Sequence, residues 1–309
     1  MYDIIIVGGG PAGLTAALYA LRAGKTVLVI EKNTFGGQIT WSPKVENFPT
    51  ISSISGTELA DRLFSQVLEQ GADTELDEVV SVTKTGDVFT VHTDFGESFE
   101  ARALIIAAGA RPRMLGIERE EELTGSGVCF CAVCDGAFYK GKPVAVSGGG
   151  NSALQDAMLL SETCSRVYLI HRRDSFRGEA KLVEALKAKD NVEFVLGSRI
   201  SALHGDTELC GITVKDNEGH ERELEVDGLF VAIGHAPDLG TFRELIGLDE
   251  AGYADAGEDC KTPTDGVFVA GDCRKKTVRQ LTTAVSDGSA AALAACSYLD
   301  ALRADKAFA

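Results

Sequence analysis

The stretch Ile4-Ile5-Ile6-Val7-Gly8-Gly9-Gly10-Pro11-Ala12-Gly13 runs a short apolar strand straight into a glycine turn, and a helical pattern over Leu14–Leu21 follows it. Four consecutive apolar residues suit a strand buried on both faces of a parallel sheet. In the G-x-G-x-x-G pattern, Gly8 permits the tight turn, Gly10 lets backbone approach a pyrophosphate, and Gly13 lets helix and strand pack closely. A helix opening at Pro11 and Ala12 turns free N–H groups and a partial positive charge toward phosphates. One such motif alone does not separate a nucleotide site from a glycine-rich turn.

The plan, however, is written twice. Val144-Ala145-Val146-Ser147 leads into Gly148-Gly149-Gly150-Asn151-Ser152-Ala153, and a helical pattern follows over Leu154–Leu160. In each half a second apolar strand comes next, Thr26–Ile30 and Val167–Ile170. Each then has a polar-alternating stretch with turn signals, around Asp94-Phe95-Gly96 and around Asn217-Glu218-Gly219, which reads as an antiparallel meander. Each half closes on an apolar strand ending in glycine, at 104–112 with Ala108 and Gly109, and at 229–238 with Ile233 and Gly234. The expected fold is α/β, with two Rossmann-like (three-layer ββα) dinucleotide-binding domains. Residues after 240 belong to neither copy. They hold another strand ending in Gly271-Asp272 and an alanine-rich helical pattern from about Arg279 to Leu302.

Between the two signatures lies Cys131-Ala132-Val133-Cys134-Asp135. Two cysteines at this spacing can carry two electrons by cycling between dithiol and disulfide, and two nucleotide sites can supply a source and a relay. With 309 residues, 45% hydrophobic, 34 glycines and 7 prolines, the chain has room for two packed domains. A formal charge of −16 argues against nucleic acid and anionic membranes as partners, since phosphate binding needs clustered Lys and Arg. No apolar run approaches the ~18 residues of a spanning helix. Met1–Val7 has no basic region and reads as a strand rather than a signal peptide. Eight irregularly spaced cysteines make no disulfide framework, so a reducing, cytoplasmic setting is expected.

The second strands differ in what ends them. Glu31 closes the first, where a carboxylate can accept from ribose hydroxyls and disfavours a 2′-phosphate. His171-Arg172-Arg173-Asp174-Ser175-Phe176-Arg177 closes the second, with no acid at that position and three guanidiniums suited to a 2′-phosphate. That reading favours NADPH there over NADH.

With GGGPAG at 8–13, GGQIT at 36–40, VENFP at 45–49, CAVCDG at 131–136, GGGNSA at 148–153, HRRDSFR at 171–177 and GDCRKKTVRQLTTAVSDG at 271–288, the chain resembles the low-molecular-weight thioredoxin reductases from end to end. The resemblance implies a split flavin domain, residues 1–110 and 241–309, with an NADPH domain inserted at 111–240. It implies a homodimer with one non-covalent FAD per chain. For FAD it assigns Lys32, Gly37, Gln38, Asn47, Val80, Ala108, Gly109, Gly271, Asp272, Arg279, Gln280 and Leu281 beside the first glycine loop and Glu31. Asp272 would meet the ribityl chain. A helix starting near Arg279 would also stabilise negative charge on reduced flavin.

The implied reaction carries a hydride from NADPH to FAD, an electron pair on to Cys131–Cys134, and the dithiol's electrons to oxidised thioredoxin (EC 1.8.1.9 type). Cys134 would face the flavin and Cys131 would attack the partner, with the CxxC opening a helix that lowers thiol pKa values. Asp135 is the candidate acid, provided burial raises its pKa. Its alternative role is to cap the following turn. Because nicotinamide and disulfide sit on one inserted domain, alternation would require that domain to rotate on two linkers.

Rival readings keep the same parts. A dithiol oxidase would need no nicotinamide pocket, and a ferredoxin-fed reductase would lose the fingerprint at 148–153. A peroxiredoxin-system reductase adds an N-terminal extension, which Tyr2 opening directly on a strand argues against. Three positions depart from the family pattern: Ala107-Ala108-Gly109 for Ala-Thr-Gly, Thr50 for a glycine, and Cys129 where many relatives have serine. The first two are expected to leave function intact. Cys129 raises wrong disulfides or a C-x-C-x-x-C metal site, although no metal is expected. Cys164, Cys210, Cys260, Cys273 and Cys296 read as small buried residues.

Overall fold

The computed structural model describes residues 1–308. The chain divides into two compact units, one made of Met1–Arg111 with the segment from Ala236 onward, the other of Pro112–His235.

In the first unit, β1 (Tyr2–Val7) passes through the glycine turn into α1 (Pro11–Arg22) and on to β2 (Val27–Glu31). Ile4, Ile5 and Ile6 are fully buried because helices and meander cover both faces of the sheet. α2 (Gly56–Glu69) begins at Ser55, whose hydroxyl accepts from the Glu58 amide and so caps the helix. β3 (Asp73–Leu76) then joins the outer side of β2. β4 (Val79–Thr85), β5 (Val88–Thr93) and β6 (Ser98–Ile106) form the expected meander. β6 is long enough to serve two sheets' worth of pairing. Its first half holds β5 antiparallel, while Ala101–Ile106 run parallel to β1.

The second unit is entered through β7 (Arg111–Pro112). It contains β8 (Val128–Cys129), α3 (Ala132–Asp135), β9 (Pro143–Ser147), α4 (Asn151–Ser161), β10 (Arg166–His171), α5 (Ala180–Lys187) and β11 (Val192–Leu196). The meander β12 (Ser198–His204), β13 (Gly211–Asp216) and β14 (Glu221–Glu225) leads to β15 (Gly228–Val231) and out through β16 (His235–Ala236). Its parallel sheet has the order β11-β10-β9-β15-β8, and the meander stands as a separate three-stranded sheet. Two Rossmann-like folds, the second inserted in the first, are therefore present.

The chain returns to the first unit and adds β17 (Val267–Val269) parallel to the second half of β6. The last element is α6 (Leu281–Phe308), which packs along α1. Small residues make that approach close: Ala12, Ala16, Ala17 and Ala20 of α1 and Ala291, Ala292 and Ala295 of α6 are buried. Gly288 is the tightest point, since a Cβ there would lie 2.2 Å from the Ala12 carbonyl oxygen.

One sequence expectation changes. Cys210 is exposed just before β13, so it is not a core residue, while Cys164, Cys260, Cys273 and Cys296 are buried. Thr50 sits at φ 73, in the left-handed region, a conformation that a β-branched residue bears poorly.

Candidate functional site

In the first glycine turn each glycine of the motif sits where a side chain would collide with backbone or where the surface is open. Gly8, at φ 106, has the Ala107 carbonyl oxygen 2.3 Å from where a Cβ would be, and a Cβ at Gly13 would lie 1.9 Å from the Gly8 carbonyl. Gly10 faces open space, which is what an approaching phosphate needs. Gly10 is also the N-cap of α1, with Pro11 in its first turn, and Leu14 is the first amide bonded back to Gly10. The amides of Ala12 and Gly13 therefore have no acceptor within the helix.

Glu31 ends β2 buried at 8% exposure, and its two oxygens accept from the amides of Gly9 (2.7 Å) and Asn33 (2.9 Å). Lys32 pairs instead with Glu78 and Asp238 at the surface. Gly37, at φ 59, approaches Gly10 closely. Gln38 donates to the Ala110 carbonyl (3.0 Å), next to Ala108 and Gly109, the latter at φ 69. Val80 is half exposed at the start of β4.

The C-terminal segment brings a third group of residues to this unit. Gly271, at φ 82, would place a Cβ 2.8 Å from Ala12. Asp272 Oδ1 is buried without a hydrogen bond, while the carboxylate side chain as a whole is one-third exposed and open to a hydroxyl-rich ligand. The Arg279 guanidinium lies 4.1 Å from the Tyr253 ring and donates to the carbonyls of Asp272 and Arg274. Asn47 donates to the Gln280 side chain at 3.4 Å. Leu281 opens α6, two residues beyond the expected start, and packs on the cluster of Val45, Ile54 and Leu59. An open glycine turn, unpaired helix amides and a one-third-exposed carboxylate together fit a flavin dinucleotide.

The second unit repeats the cradle. Gly148, at φ 157, would bring a Cβ within 2.4 Å of the Ala232 carbonyl, and Gly150 caps α4 over open space. Asn151 exchanges bonds with Glu179, which tethers the helix start, and Ser152 is exposed. The Arg177 amide donates to the Gly149 carbonyl at 2.8 Å, so the arginine loop is tied directly to the glycine turn. His171 is buried under that turn, stacked on Phe176, with Nε2 unbonded. Burial holds its pKa below 6.5, and the nearby charges of Arg177, Arg172 and Arg173 push the same way. All three arginines are exposed, and among the described residues none forms an ion pair. Ile233 is partly exposed and Gly234, at φ 109, ends the strand segment.

Cys131 and Cys134 are joined as a disulfide, with Val133 between them 61% exposed. Cys131 caps α3, and its sulfur accepts from the Cys134 amide at 3.2 Å. α3 is a single turn of four residues continued by a 3-10 turn over Gly136–Tyr139, so a long-helix dipole is not the device here. Burial pushes the Asp135 carboxyl up from 3.8 to about 6, as an acid working near neutrality requires.

Cys129 lies buried in β8, 3.4 Å from the Tyr139 hydroxyl. Burial and then the Asp135 charge push its thiol up to about 12, which makes it an inert partner for disulfide exchange. Among the described residues no group of three or more His, Cys, Asp or Glu side chains is placed to hold a metal. Tyr139 lies flat on Gly228, where a Cβ would be 2.6 Å from the ring, and edge-on to Phe230. This clamp under the redox turn has no motif, and only a glycine opening a strand hints at it.

A family profile described as pyridine nucleotide-disulphide oxidoreductase matches residues 2–288. Over 302 residues the chain is 41% identical to a thioredoxin reductase of Mycolicibacterium smegmatis, covering 97% of each. It is 40% identical over 302 residues to a bifunctional thioredoxin reductase/thioredoxin of Mycobacterium leprae, and spans 66% of that longer protein. The crystal structure of thioredoxin reductase from Streptococcus pyogenes superposes with a TM-score of 0.92 at 36% identity, over 97% of this chain and 99% of that one.

Proposed function

The chain belongs to the pyridine nucleotide-disulphide oxidoreductase family, and on that premise we propose that it is a thioredoxin reductase, using NADPH, FAD and the Cys131–Cys134 pair to reduce oxidised thioredoxin. The observation that carries the reading is the redox pair itself, closed on a surface turn with Val133 exposed and Asp135 half-buried beside it. The relatives' names point the same way, and the Mycobacterium leprae relative joins both activities in one name.

In this reading the first unit holds FAD. Gly8, Gly10 and Gly13 admit the pyrophosphate, Glu31 takes the adenosine ribose, and Asp272, Gln38, Asn47, Arg279 and Gln280 surround the flavin end. Bound flavin supplies two-electron transfer between a nicotinamide and a disulfide. The second unit holds NADPH, with Gly148 and Gly150 at the pyrophosphate and the unpaired Arg172, Arg173 and Arg177 at the 2′-phosphate.

Reduction opens the Cys131–Cys134 bond and leaves two sulfurs sharing one proton with Asp135. At a pKa of about 6 the Asp135 carboxyl both holds a proton and releases it near neutral pH. The Cys131 thiolate attacks the partner's disulfide and forms a mixed disulfide. Cys134 then attacks Cys131, releasing the partner as a dithiol and restoring the starting bond. A homodimer and a reducing cytoplasm belong to the same reading, and the six cysteines outside the pair stay free, as such a compartment keeps them. No helix among the described residues is long and apolar enough to cross a membrane.

The discriminating variant is Cys134→Ser in the full-length flavoprotein. NADPH should still bleach its visible band, while thioredoxin reduction falls to background. Thioredoxin turnover at the wild-type rate would overturn the assignment.

A further inference from the structure

Behind Asp272 lies a buried set of charges from the same 271–288 stretch, to which the sequence reading assigned no role. The Lys276 side chain is 8% exposed, and its ammonium stands 3.1 Å from Asp287 Oδ2, 3.3 Å from Asp272 Oδ1 and 3.3 Å from the Thr283 hydroxyl. Asp287, on α6, also takes Arg274 through both oxygens (3.1 and 2.9 Å) and the Gly271 amide (3.1 Å). Arg274 and Asp287 balance one another. The Lys276 charge is thus left to Asp272.

The contact with Asp272 is ionic rather than a hydrogen bond, because Oδ1 lies off the bonding angle. It nevertheless fixes which oxygen faces inward. The Asp272 side chain is one-third exposed, so its other oxygen, Oδ2, is the one left to face outward. A carboxylate without that ammonium would turn Oδ1 toward water, since a buried, unbonded charged oxygen is unfavourable.

We propose that Lys276 is a positioning residue for the flavin: anchored by Asp287 and Arg274, it holds Asp272 with Oδ1 inward so that Oδ2 meets a ribityl hydroxyl. The inference rests on the FAD reading above. It makes the α6 carboxylate Asp287 part of the flavin site although it is buried behind it.

The test measures FAD release from the diluted full-length flavoprotein by the fluorescence of freed FAD, with the thermal midpoint of each variant recorded alongside. Lys276→Met and Lys276→Gln should each weaken FAD retention about tenfold or more, the scale of one hydrogen bond to a charged group. Lys276→Arg should restore most of it. The decisive comparison is Asp272→Asn with and without Lys276→Met, which should lose FAD equally. Additive losses, or tight FAD retention by both neutral variants, would overturn the inference. A wild-type chain that takes up no FAD would instead remove the flavin reading itself.

Discussion

The Glu31 carboxylate accepts a 2.7 Å hydrogen bond from the amide of Gly9, so the residue proposed to read ribose also pins the first glycine turn. A second bond, from the Asn33 amide, fixes the other oxygen. One acid thereby joins the end of β2 to the loop between β1 and α1, and selectivity and loop shape are coupled.

Glu31→Gln retains one acceptor but loses the charge. It should weaken FAD binding and lower stability by about 1.5–3 kcal/mol, the scale of a hydrogen bond to an ionised partner. Denaturant melts of the flavin-free chain separate the two losses. Unchanged stability would mean that Gly9 finds another acceptor.

Arg172→Ala with Arg173→Ala should raise the NADPH KM by about 1–3 kcal/mol of lost charge-assisted bonding. The NADH KM should barely move, so the ratio of the two is the measurement. An unchanged NADPH KM would remove the 2′-phosphate assignment.

Asp135 makes a prediction with two signs. Its folded pKa, about 6, lies above its ordinary 3.8, so the folded chain binds the proton more tightly and loses stability as pH rises between those values. Asp135→Asn should therefore stabilise the protein at pH 7.5, by no more than about 3 kcal/mol, while slowing thioredoxin reduction. Asp156 on α4 is raised to about 6 by its own burial. The limb near pH 6 in the wild-type rate profile should consequently vanish in Asp135→Asn and persist in Asp156→Asn.

Thr50→Gly should stabilise the chain. A β-branched residue at φ 73 costs about 1–2 kcal/mol, and glycine's added unfolded-state entropy returns part of that. A net gain of about 0.5–1 kcal/mol is a rise of a few degrees in Tm. A lower Tm would mean that the Thr50 side chain makes a contact worth more than the strain.

The sequence exposed what repeats and what alternates. Ile4–Val7 before Gly8 and Val144–Ser147 before Gly148 told of parallel strands entering phosphate turns, and the meanders followed from period-two stretches with turn residues. Residues that act through long-range packing were not legible. Asp287 falls within the 271–288 stretch that carries the resemblance, but its role becomes visible only when α6 brings it against Arg274 and Lys276. Tyr139 likewise gains its meaning from Gly228, far along the chain and two strands over. The short length of α3 was not legible, because a CxxC pattern says that a helical turn begins there and not how far it continues.

The central claim is tested most directly by anaerobic titration of the yellow full-length protein with NADPH, followed by oxidised thioredoxin. The account predicts loss of the flavin band with NADPH well before an equal dose of NADH, then its return as thioredoxin is reduced. A protein that isolates colourless and takes up no FAD, or a flavin that NADPH reduces and thioredoxin never reoxidises, would contradict it.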